Sequence, residues 1–138
     1  MDDAILYKNI ESLTLKRDKL LRKLRRQVRD YGRGRIQYSD LQVTLMELRK
    51  TRRAYVRVIG SPIKMSGELR DSLATLIEFT FLVSINDEQE ILRRLIALMR
   101  KNGIEENLIR NIEEDLKEVN EFGKLISEVL TSLQQQSL

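Results

Sequence analysis

The sequence predicts an all-α protein of about five helices: a basic antiparallel helix hairpin, then a helical bundle segment ending in a long C-terminal helix. Three observations carry this. Leucine dominates the apolar residues, Pro62 is the single proline in 138 residues, and apolar side chains recur every three or four positions rather than every two. With 41% apolar and 33% charged residues the composition is globular, and the length is that of one domain.

Each element has its own signals. Helix one is expected over residues 3–31, with Leu6, Ile10, Leu13, Leu20, Leu21, Leu24, Val28 and Tyr31 on one stripe and Gly32 as a left-handed cap. Gly32-Arg33-Gly34-Arg35 then makes a turn. Ser39, with Gln42 three residues on, reads as a capping box for helix two, which turns Leu41, Leu45, Leu48, Tyr55 and Ile59 inward and stops at Gly60. Helix three, over residues 67–84, carries Leu73, Leu76, Ile77, Phe79, Phe81, Leu82 and Val83 around most of its circumference, which predicts a central position.

Asn86, with Gln89 three residues on, is expected to cap a fourth helix that ends at Asn102-Gly103. The fifth, over residues 104–133, alternates Ile109, Ile112, Leu116, Val119, Ile126, Leu130 and Leu133 in a coiled-coil-like seam open to the bundle or to a second chain. Gly123 lies in that seam and permits a close backbone approach. The tail from Gln134 to Leu138 is expected to fray. Residues 1–60 thus form a basic hairpin and residues 61–138 an acidic helical segment, as one continuous domain or two packed parts.

Composition excludes much chemistry. Cysteine, histidine and tryptophan are absent. No thiol nucleophile, disulfide, Cys/His zinc cage or imidazole base can therefore be built. No Gly-Lys-Ser/Thr phosphate loop occurs either. Glu105, Glu106, Glu113, Glu114, Asp115, Glu118, Glu121 and Glu128 on the fifth helix read as a solvated acidic face without metal-ligand spacing. Neither an enzyme, a cofactor nor a small-molecule substrate is expected. The N-terminus opens acidic, and the most apolar stretch, residues 72–85, contains Glu78. A spanning helix needs about 20 apolar residues. A soluble intracellular protein with no membrane role is expected, cytoplasmic, nucleoid-associated or inside a virion.

The charge is unevenly distributed. Residues 1–60 hold 16 Lys/Arg against 7 Asp/Glu, and residues 61–138 hold 9 against 14, for a net charge of +4. Lys19, Arg22, Arg26, Arg29 and Arg33 recur every three or four positions on helix one, flanked by Lys23 and Arg25. Arg35 continues them into the turn. On helix two Arg49, Arg53 and Arg57 are four apart, with Lys50 alongside. Both stripes are expected to oppose the apolar seams.

A solvated helix face usually mixes signs to gain pairs four residues apart. Residues 16–35 hold ten cations and only Asp18 and Asp30, so this face repels itself. Retained repulsion points to an external polyanion, and the expected partner is the phosphate backbone of a nucleic acid. With aromatics at 5%, shape-read double strands fit better than base stacking, and Tyr31 and Tyr38 are expected to close the hairpin. The alternatives are an acidic protein partner or the acidic helix of a neighbouring copy, as in a homo-oligomer or complex subunit. Mutual attraction of the two halves accounts for part of the pattern.

Arg17 and Arg52 fall inside the apolar seams of helices one and two, level with each other in an antiparallel hairpin. Two buried guanidinium groups need an anion between them. Glu78 or another bundle carboxylate would serve, or a phosphate gripped by the hairpin.

A basic helix hairpin before a more acidic helical part resembles the nucleoproteins of filamentous archaeal viruses, which implies helices that wrap DNA. The second helix, with Leu48-Arg49, Arg52-Arg53 and Val56 before a Gly/Pro loop, resembles the helical domain of replicative GINS subunits. That implies a subunit of a multi-protein replication complex, although the small β domain of that family has no counterpart here.

Overall fold

The structure is a computed structural model in which residues 2–136 are described. Helix α1 (Asp3–Gly32) starts at Asp2, whose carboxylate accepts the Ala4 N–H at 2.8 Å. Its left-handed cap is Gly34, not Gly32. Gly34 has φ of 71°, and the Arg35 N–H reaches back to the Asp30 carbonyl at 2.9 Å. Gly32 stays helical and serves packing instead, since a Cβ there would lie 3.2 Å from Leu98 Cδ1.

A 3-10 turn at Tyr38–Leu41 leads into α2 (Gln42–Ile59). Asp40 rather than Ser39 supplies the side-chain cap, accepting the Gln37 N–H at 2.8 Å. The Tyr31 and Tyr38 rings close the hairpin edge to face, 6.2 Å between centroids.

Helix α3 (Gly67–Phe79), a π-helical turn at Thr80–Ser84 and α4 (Ile85–Lys101) form one continuous rod. The expected third and fourth helices are therefore joined. No glycine or proline breaks residues 80–86, and Asn86 is no cap: its Nδ2 donates to the Leu82 carbonyl at 2.8 Å within the rod. The Thr80 and Ser84 hydroxyls, at the two ends of the π-helical turn, are both buried in the core. Gly103, with φ of 67°, reverses the chain, and α5 (Glu106–Gln135) follows. The described residues contain no strand.

Side-chain contacts fix the register. Thr14 Oγ1 lies 3.2 Å from the Tyr55 hydroxyl and Gln27 donates to the Asp40 carbonyl at 3.2 Å, so α1 and α2 run antiparallel. The rod lies parallel to α1, with Arg25 and Asp87 3.1 Å apart. It lies antiparallel to α5, with Arg100 and Glu113 3.4 Å apart. Each of α1 and α5 thus packs on both α2 and the rod, leaving those two at opposite corners of a four-rod bundle.

Residues 60–66 cross one end of the bundle. Ile63 and Met65 are buried there, and Gln136 clasps them, donating to the Ile63 carbonyl at 2.7 Å and accepting the Met65 N–H at 3.3 Å. The tail is held through Gln136 rather than frayed. Ser137 and Leu138 lie outside the described residues.

One contiguous apolar core draws on every helix, so residues 1–60 and 61–138 share it. Ile112, Val119 and Ile126 are fully buried, so the α5 seam is filled by this chain's own helices. Gly123 accommodates Ile85, whose Cγ2 would lie 3.3 Å from an added Cβ. The α3 end is less central than its composition predicts. Leu73 and Ile77 are buried, but Phe79, Leu82 and Val83 are 41%, 53% and 43% exposed. No helix among the described residues is long and apolar enough to cross a membrane.

The position of the cap is testable. Gly34→Ala imposes a left-handed conformation on an L residue and should cost about 1 kcal/mol. Thermal unfolding followed by circular dichroism should show a midpoint about 3–4 °C lower. An unchanged midpoint would mean that the turn is not held by Gly34.

Candidate nucleic-acid interface

Helix α1 presents its charged side to solvent. Lys19, Lys23, Arg26, Arg29 and Arg33 are exposed and have no carboxylate within ion-pair distance among the described residues. Between Lys19 and Arg33 the face runs about 21 Å along the axis. Its neighbours are partly neutralised: Arg22 pairs with Asp18 one turn back, Arg25 with Asp87, and Arg35 lies 3.9 Å from Asp30.

The α2 stripe behaves differently. Arg49 grips Asp115 with Nε at 2.7 and 2.9 Å from the two carboxylate oxygens and a terminal nitrogen at 2.6 Å. Arg53 reaches Glu118 at 3.2 and 3.3 Å. Both belong to the α2–α5 contact, because the two helices are parallel neighbours of opposite charge. Lys50 stays exposed, 4.0 Å from Glu47, and Arg57 is exposed with no carboxylate within ion-pair distance among the described residues. The expected ten-residue interface is therefore not one surface. Most of its unpaired part lies on α1, Arg57 on α2 is unpaired as well, and Arg49 and Arg53 of α2 hold the bundle together.

Behind these pairs lies a buried ion network. Arg17 is 0% and Arg52 2% exposed, and both meet Glu88, itself 1% exposed. Arg17 lies 2.5 Å from one Glu88 oxygen and Arg52 donates to the other at 3.0 Å. Arg52 also reaches Asp115 at 3.0 Å and Glu118 at 3.1 Å. The anion between the two arginines is thus a bundle carboxylate, Glu88, and Glu78 is exposed on the surface.

Arg17 is further held by Ser84, whose hydroxyl accepts its Nε–H at 2.8 Å, and by the Phe122 ring, 5.0 Å from the guanidinium carbon. One turn away the Tyr55 hydroxyl sits between Thr14 and Thr80, 3.2 and 3.4 Å distant. Burial raises the Tyr55 phenol above its ordinary value and keeps it neutral.

The acidic side of α5 is accordingly not all solvated. Asp115 is 3% exposed and Glu118 half-buried. The hydrogen bonds that Arg49 donates to Asp115 raise its pKa further, against the opposing effect of burial. For Glu118, burial works to raise the pKa, but the bonds and charges of Arg53 and Arg52 outweigh it and hold the carboxyl below its ordinary range. No cluster of three carboxylates able to hold a metal ion occurs among the described residues.

Glu88 is not among the expected site residues and Asp115 is expected on a solvated face, although the sequence carries a signal for both. Ile85, Glu88, Leu92, Leu95 and Met99 form a three-four stripe on α4, and Ile112, Asp115, Val119, Phe122 and Ile126 form another on α5. An acid inside each stripe matches an arginine inside each of the other two.

Two outcomes follow. Glu88→Gln leaves two buried guanidinium groups short of a charge and should destabilise the protein by about 3–5 kcal/mol in urea unfolding. Glu118 binds its proton less readily when folded, so its contribution is complete above its unfolded pKa near 4.5 and is lost as pH falls through the lower folded value. Glu118→Gln should flatten the decline of stability below pH 4.5 relative to wild type; an identical acid limb would exclude this role.

Compared with protein-family models, curated protein sequences and solved structures, the chain finds no match in any of the three.

Proposed function

We propose that this protein binds nucleic acid without catalysing a reaction, gripping the phosphate backbone of a duplex through the outward face of α1 as a subunit of an oligomer or nucleoprotein assembly. The observation that carries the reading is selective neutralisation. Arg17, Arg25, Arg49, Arg52 and Arg53 have carboxylates from other helices, whereas Lys19, Lys23, Arg26, Arg29 and Arg33 on one exposed face have none among the described residues. Attraction between the halves therefore accounts for Arg49 and Arg53 of the α2 stripe and leaves the α1 face uncompensated. A polyanion relieves that repulsion and gains entropy by releasing its own counterions.

A second reading is a helical interaction subunit docking an acidic protein, as in a replication complex. The exposed Phe79, Leu82 and Val83 favour it, since apolar side chains grouped on a surface commonly mark protein contacts. The filled α5 seam offers such a partner no place.

Five unpaired cations set the expected salt dependence. Fluorescence anisotropy with duplex DNA should give a slope of log K against log[salt] of about −4 to −5, and roughly a 500-fold loss of affinity between 50 and 200 mM salt. Changing Lys19, Lys23 and Arg26 together to Gln should make the slope shallower by about three for every sequence alike. Equal binding by wild type and this variant, with folding intact, would defeat the reading. A flat salt dependence would favour the docking alternative.

A further inference from the structure

The α1–α4 contact changes its electrostatics along its length. On α1, Arg25, Arg29 and Gly32 are four and three residues apart and share the flank that meets α4. On α4, Asp87, Arg94, Leu98 and Lys101 follow at seven, four and three and share the flank that meets α1. Two contacts align the flanks: Arg25 with Asp87 at 3.1 Å, and Gly32 with Leu98, 3.2 Å from an ideal Cβ. In parallel helices of equal rise these two contacts bracket the level of Arg29 between Ile91 and Leu95, within a turn of Arg94, and bring Lys101 to the end of the bundle beside the turn that carries Arg33 and Arg35.

The first turn of this contact is thus neutralised and the next is not. Arg29 and Arg94 are exposed on facing flanks, and neither has a carboxylate within ion-pair distance among the described residues. Arg33 and Lys101 repeat the arrangement at the end of the bundle. The acids nearest in sequence are Glu90, exposed one turn before Arg94, and Asp30, which lies beside Arg35.

We propose that the cleft between α1 and α4 seats a backbone phosphate between Arg29 and Arg94, with Arg33 and Lys101 flanking the next one. This rests on the nucleic-acid reading and moves its surface from the α1–α2 hairpin to the α1–α4 side, drawing two residues from the half of the chain that is acidic overall. Facing guanidinium groups without a counterion suit an anion that approaches along the groove, and Arg presents its donors as a planar fork matched to phosphate.

The test compares two double variants of the full chain on one 20-base-pair duplex by anisotropy across a salt series. With Arg94 and Lys101 added to the five α1 cations the wild-type slope steepens to about −6, and Arg94→Gln with Lys101→Gln should lower affinity at 100 mM salt at least tenfold and return the slope to about −4 to −5. Arg110→Gln with Lys117→Gln removes the same charge from α5 and should change Kd by less than threefold. Arg94→Glu supplies an independent geometric check. It sets a carboxylate opposite Arg29 and should raise the thermal midpoint at low salt while weakening binding further.

If the α4 pair matches the α5 pair while the Lys19, Lys23 and Arg26 variant loses binding, the α1 reading stands and the cleft falls. If wild type shows no salt-dependent duplex binding, both fall. A midpoint lowered by Arg94→Glu would overturn the facing arrangement itself.

Discussion

The Glu88 carboxylate is the interaction on which the bundle turns. It lies almost wholly out of water between Arg17 of α1 and Arg52 of α2, and Arg52 carries the contact on to Asp115 and Glu118 of α5. One carboxylate and two guanidinium groups therefore tie together helices that the apolar seams alone would only place side by side. A slide of one helical turn in any of the four rods would strand a buried charge, which costs several kcal/mol per ion. Leucine-rich seams tolerate such slides far more readily. In this bundle the network selects one register and the apolar contacts supply the bulk of the burial.

The π-helical turn belongs to the same constraint. Across it Thr80 meets Tyr55 and Ser84 meets Arg17 Nε. It also draws Ile85 against Gly123, where only a missing side chain leaves room. On the outer side of the rod Phe79, Leu82 and Val83 remain in water.

The same network sorts the positive charge of the chain into two populations. Arginines on the flanks that meet α5 or α4 carboxylates are structural and largely unavailable to a partner. Those on the outer face of α1, together with Arg57 of α2 and Arg94 and Lys101 of α4, keep their charge uncompensated. Net charge by sequence half therefore misplaces the basic surface. α4 belongs to an acidic half but runs beside α1, while α2 belongs to the basic half but spends Arg49 and Arg53 on α5.

The sequence by itself determined the helices, the hairpin and the inward residues of α2, because spacing of threes and fours is a local property that any fold must honour. It also marked Arg17 and Arg52 as needing an anion, since a charge within an apolar stripe is visible without coordinates. Helix ends were less legible: Gly34 rather than Gly32, and Asp40 rather than Ser39, depend on dihedral angles and bonds that several neighbouring residues could satisfy equally well. The fusion of α3 with α4 depends on tertiary bonds to Thr80 and Ser84, which outweigh the local preference of Asn86 for a cap. Tertiary structure alone decided that Glu88 is the anion and that α1 lies beside α4. Pairing across a bundle depends on which helices are neighbours and in which register, and a one-dimensional pattern of charges carries neither.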